Sequence, residues 1–155
     1  MKRGLQFIWV AMLAVAAASA HAQMTDAKAV AGAIKKGGYV IVMRHGETNR
    51  DQADTDPLNP DDVAKQRLLS ERGREQAKQV GEAFKRLGIP LGTVYTSTFN
   101  RAVETGKLIG GGAVTPTFDV TEGGLVVTPI ENDRRTEALK KMIATAPQSE
   151  RTRSS

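Results

Sequence analysis

A chain of 155 residues with 40% hydrophobic and 25% charged side chains can bury one core and build one domain. Its formal charge of +5 is mild, where a nucleic-acid partner would want a clustered basic face. It has no cysteine, which excludes disulfides, thiolate metal sites and a cysteine nucleophile.

Met1-Lys2-Arg3 is a short basic start, residues 5–20 are almost wholly apolar, and Ala20-His21-Ala22 has the form of a cleavage site. The apolar run is shorter than the roughly 20 residues a membrane span needs. Residues 1–22 are therefore expected to be a signal peptide. Residues 23–155 would then be a single domain delivered to the periplasm or secreted, with no membrane anchor after cleavage. Loss of Lys2 and Arg3 takes the formal charge from +5 to +3. Loss of His21 leaves His45 the one remaining histidine, which sets a zinc site aside.

Thr25 can cap a short helix through Lys36, with Ala27, Val30 and Ile34 on one face and Gly37 ending it. Tyr39 to Met43 is an uncharged run between glycines, which predicts a strand buried on both faces. That strand would deliver Arg44 and His45 at its carboxyl end, where open α/β sheets bind ligands. Asn49 to Gln66 follows as a long polar loop rich in Asp, read as a solvated lid beside the site; its spacing does not match an EF-hand. Ser70 caps the next predicted helix, whose apolar stripe is Ala77, Val80, Phe84 and Leu87, closed by Gly88 and Pro90.

Thr93 to Thr96 predicts a second strand. Ser97 to Thr105 turns from it into a helix with Arg101 in the first turn, a ready anion site. Gly110-Gly111-Gly112 breaks that helix. Pro116 to Val120 and Leu125 to Thr128 read as further strands. Arg134 to Ile143 reads as a helix with Ala138, Leu139, Met142 and Ile143 inward, and a polar tail follows Pro147.

Two arginines and a histidine at strand ends suit a phosphate ester. Arginine matches phosphate oxygens with a planar fork of donors, and neutral histidine can attack phosphorus to form a covalent intermediate. A carboxylic acid must protonate the leaving alcohol; Glu47, Glu104, Glu122 and Glu131 are the candidates. The arginine pair supplies the electrostatic stabilisation, so neither a metal nor another cofactor is called for.

Val42-Met43-Arg44-His45-Gly46-Glu47-Thr48 resembles the Arg-His-Gly signature of the histidine phosphatase superfamily, the phosphoglycerate-mutase-like proteins. Leu69 to Ala77 resembles its Leu-(Ser/Thr)-x-x-Gly-x-x-Gln-Ala segment, and Ser97 to Thr105 its Ser-x-x-x-Arg-Ala-x-x-Thr segment. The Asp-rich insert and the leader are similar to an exported bacterial branch. The resemblance implies a three-layer α/β/α sandwich and a phosphohistidine at His45. It implies phosphate binding by Arg44 and Arg101, with Gly46 and Thr48 beside them, and Glu122 as the acid. The family also carries a second histidine after an apolar strand near its C-terminus, and here no histidine follows His45. The chain therefore reads as C-terminally truncated, lacking the last core strand. The expected function is hydrolysis of phosphate monoesters, with a small phosphorylated substrate or inorganic phosphate as the partner. The alternative is a catalytically dead remnant that still binds phosphate.

Overall fold

The computed structural model describes residues 26–122 and 127–145. The expected signal peptide, the polar tail and half of the strand expected at 125–128 lie outside the described residues. No helix among the described residues is long and apolar enough to cross a membrane.

Among the described residues, four α-helices, two short 3-10 turns and a two-stranded parallel sheet make up the regular structure, an α/β arrangement. Helix α1 runs over residues 26–34, and Gly37, with φ 74°, ends it through an N–H bond of 2.9 Å to Ile34 O. Helix α2 is Glu71–Leu87, strand β1 is Tyr95–Thr96, helix α3 is Asn100–Gly110, strand β2 is Thr115–Pro116, and helix α4 is Pro129–Ala144. In the sheet Tyr95 pairs with Thr115 and Thr96 with Pro116, with α3 as the crossover.

The helix ends follow local chemistry. The Ser70 hydroxyl accepts the Gly73 N–H at 3.0 Å, which caps α2, and Gly88 closes it in the left-handed region at φ 64°. Gly111 closes α3 in the same way at φ 72°.

Helix packing is set by small residues. The buried face of α2 is Gly73, Ala77 and Gly81, which shares only Ala77 with the predicted stripe: Val80 and Phe84 are half-buried and Leu87 is exposed. A Cβ on Gly81 would meet Leu108 O and Ile109 O at 2.8 Å, so α2 and α3 cross with their backbones nearly touching. A Cβ on Gly106 would meet the Thr96 methyl at 2.7 Å, which seats α3 on β1 just as closely. The buried apolar side chains described are few: Leu69, Ala77, Ile89 and Ile109. Gln66, Thr96, Arg101, Thr105 and Thr121 are buried with them, so the interior is largely polar.

Several expectations are corrected. Tyr39–Met43 forms no strand; the segment is irregular and every residue in it is exposed, Val42 at 64%. A strand buried on both faces needs ladder partners, and among the described residues the two-residue β1 and β2 pair only with each other. Ala27 and Val30 of α1 are exposed rather than inward. The strand expected at Pro116–Val120 is β2 followed by a 3-10 turn over Phe118–Val120. Helix α4 begins earlier than Arg134, because Thr128 caps it and Pro129 occupies its first position. No residue of α4 is buried. It is held by charge instead, with Arg134 on Asp119 at 2.8 Å and Arg135 donating to Thr121 O at 3.0 Å.

Candidate active site

His45 lies at the end of the irregular segment, half-buried, on a turn gripped from two sides. Gly46 donates its N–H to the Thr105 hydroxyl at 3.1 Å, and that hydroxyl donates to Arg101 O at 2.7 Å. Arg101, Thr105 and Ile109 recur at four-residue spacing, so one face of α3 carries both the site arginine and the residue that holds the turn.

On the other side the turn rests on α2. A Cβ on Gly46 would meet Gly73 O at 2.7 Å, and a Cβ on Gly73 would collide with Glu47 O. These two glycines therefore let two backbones approach where no side chain fits. The contact is locked by Ser70, whose N–H donates to Glu47 O at 2.9 Å.

The imidazole tautomer follows from its neighbour. His45 Nδ1 lies 2.8 Å from Gly46 O. A carbonyl can only accept, so Nδ1 carries the proton and Nε2 keeps its lone pair. Burial lowers the His45 pKa from its ordinary value. The Gly46 bond works against this, and the positive charges of Arg101, Arg44 and Arg67 add to it. The neutral, nucleophilic form is thereby favoured.

Arg101 is buried at 7% exposure, with its guanidinium carbon 4.2 Å from the centre of the Phe99 ring. Its Nη1 donates to Asp54 Oδ1 at 2.8 Å and to Arg67 O at 3.4 Å. Asp54 also accepts the Arg67 N–H at 2.9 Å. Burial opposes charge on Asp54, but the Arg67 amide and the Arg101 guanidinium outweigh it and hold the carboxyl below its usual range.

Asp54 belongs to the stretch expected to be a solvated lid. That stretch is tied down: the Gln52 side chain accepts Leu68 N–H at 2.9 Å, Thr55 N–H donates to Lys65 O at 2.9 Å, and Gln66 bridges Pro60 O at 2.6 Å and Asn100 N–H at 2.7 Å. Among the described residues no group of three His, Cys, Asp or Glu side chains is placed to hold a metal ion.

The expected site residues are distributed as follows. Arg44 is exposed, Gly46 and Thr48 are half-buried, and Thr48 forms an isolated antiparallel bridge with Leu69. Glu122 is exposed, one residue beyond Thr121, whose hydroxyl accepts the Thr98 N–H at 2.9 Å. No hydrogen bond or ion pair among the described residues joins Glu122 to His45. Two other acid candidates are committed elsewhere: Glu104 to Arg74 at 2.6 Å, and Glu131 to Arg134 and Arg135 at 2.9 Å. Those arginines hold Glu131 well below the usual carboxylate range. Glu47 faces the Ser70 hydroxyl and Arg72. Asp54 and Thr105 were not singled out by sequence reasoning. Only Thr105 carried a signal, as the threonine that closes the Ser-x-x-x-Arg-Ala-x-x-Thr segment.

Comparison with known proteins gives the family of the chain. The chain is similar to the serine/threonine-protein phosphatase Pgam5, mitochondrial, of Drosophila persimilis, 41% identical over 75 residues, or 48% of this chain and 23% of that protein. It is 37% identical to the protein of the same name from Drosophila melanogaster over 89 residues, 57% of this chain and 26% of that protein. The chain thus spans about a quarter of the length of these curated relatives. No solved structure matches it. Residues 40–122, which contain Arg44, His45, Arg101 and Glu122, match the sequence model of the histidine phosphatase superfamily (branch 1). That match covers more than half of the chain, which therefore belongs to the histidine phosphatase superfamily.

Proposed function

We propose that the protein hydrolyses phosphate monoesters through a phosphohistidine at His45. One observation carries the reading. The His45 ring is fixed by Gly46 O with its Nε2 lone pair free, in the field of the Arg101 and Arg44 charges that disfavour its protonation. His45 Nε2 attacks phosphorus, and a P–N bond forms as the P–O bond to the alcohol breaks. The electron pair of that bond leaves on the alcohol oxygen, which takes a proton from the Glu122 carboxyl. Water then passes a proton to the Glu122 carboxylate as its oxygen attacks phosphorus. The P–N bond breaks, the lone pair returns to His45, and phosphate departs. Arg44 and Arg101 neutralise the equatorial oxygens throughout.

This reading includes a small phosphorylated substrate, a three-layer α/β/α sandwich, and export directed by residues 1–22. The exposure of Arg44 and the open position of Glu122 favour access from solvent. Hydrolysis of p-nitrophenyl phosphate by the wild-type chain and by His45→Asn tests the chemistry. The substitution should lower turnover by about 10³-fold or more. Equal turnover in the two would remove His45 from the reaction. N-terminal sequencing of the exported protein should begin at Gln23; a start at Met1 would overturn the leader.

A further inference from the structure

We propose that Arg67 is a third guanidinium that binds the transferred phosphoryl group, a reading that rests on the phosphatase function proposed above. Three observations carry it.

The first is an unmet donor. Arg67 Nε is buried and has no hydrogen-bond partner among the described residues. A cationic N–H out of water without an acceptor is unfavourable until an anion reaches it. Neighbouring acids do not satisfy it: Asp54 accepts from the Arg67 backbone and from Arg101, while Asp56 and Asp62 pair with Lys65 at 3.4 and 3.3 Å.

The second is placement. The peptide unit of Arg67 is bolted to the other site arginine, its N–H through Asp54 and its carbonyl directly to Arg101 Nη1. Gln66 and Leu69, the largest fully buried side chains described, hold the backbone on either side. Arg67 is therefore carried by the same rigid frame as Arg101, and its charge reaches the His45 ring.

The third is charge balance. Arg44, Arg67 and Arg101 act on His45, and Asp54 cancels one of these charges. Two positive charges remain, which match the dianion of a phosphate monoester. With Arg67 elsewhere the site would be one charge short.

Titration calorimetry with inorganic orthophosphate tests the proposal on the full chain and its Arg67→Gln, Arg67→Lys and Arg101→Gln variants. Arg67→Gln should weaken orthophosphate about ten- to a hundredfold. Arg67→Lys should recover part of this, because it restores charge without the fork. Orthophosphate affinity within threefold of wild type in Arg67→Gln, together with a loss in Arg101→Gln, would overturn the role of Arg67 and leave the phosphate site standing. Absence of binding in the wild-type chain would overturn both. If Arg67→Gln gives no cooperative melt, Arg67→Lys decides alone: at least fivefold weakening supports the proposal, and unchanged affinity refutes it.

Discussion

Substituting Gly73 by Ala tests whether the turn that carries His45 is seated on α2 by direct backbone contact. The added methyl would collide with Glu47 O and would lie 2.8 Å from Glu47 N and 2.9 Å from Glu47 C. All three are backbone atoms, so no flexible side chain can yield. Forcing a methylene into such a contact costs about 1–3 kcal/mol. Displacing Glu47 also strains its bond from the Ser70 N–H, worth about 0.5–1.5 kcal/mol. Alanine offsets about 1 kcal/mol of this through its better helix propensity. The net expectation is a loss of about 2 kcal/mol, or about 7 °C in the melting midpoint of a domain this size. Gly32→Ala is the control, since a Cβ there meets nothing within 4 Å and the position is helical. It should hold or raise the midpoint. Circular dichroism melts of both variants decide stability, and p-nitrophenyl phosphate turnover measured well below the midpoint decides function. Gly73→Ala should lose turnover even while folded, because the turn it displaces carries His45. A midpoint equal to or above wild type, with full turnover, would refute the contact.

Two further perturbations act on the charges of the site. Asp54→Asn keeps an oxygen acceptor but leaves buried Arg101 without a counter-charge; with Asp54 partly exposed, a loss of about 2 kcal/mol is expected in chemical denaturation at neutral pH. Because the Asp54 carboxyl is held below its ordinary 3.8 in the fold, its stabilisation is present above that value and lost as pH falls through the lower folded one. The wild-type advantage over Asp54→Asn should therefore vanish in acid, and a gap independent of pH would contradict the ion pair. For His45, the folded pKa is below 6.5, so the neutral nucleophile persists into weak acid. The acidic limb of the kcat/KM profile should lie below pH 6.5, and Arg44→Gln should move it upward; a limb above 6.5 would contradict the combined effect of burial and the arginine charges on the ring.

What the sequence made legible was local. Ser70, Gly88 and Gly111 end their helices by side-chain or left-handed backbone chemistry within a few residues, and Arg101 entered the first turn of α3 as expected. What it hid depends on distant chain. Asp54 meets Arg101 across 47 residues, and Gly46 meets Thr105 across 59, so neither pair has a spacing to read. The buried face of α2 is Gly73, Ala77 and Gly81, a face chosen by backbone approach rather than by hydrophobicity, which points to Val80 and Phe84 instead. The run Tyr39–Met43 has the composition of an inner strand, but that composition acts only where neighbouring strands supply a ladder.

The central claim is that phosphate passes through His45. The most direct measurement mixes the protein with a phosphomonoester labelled in its phosphoryl group, quenches in alkali within one turnover, and maps the label. The account predicts label that is stable in base, released by acid, located on the peptide that contains His45, and absent from His45→Asn. Label on another residue, or label retained by His45→Asn, would contradict it.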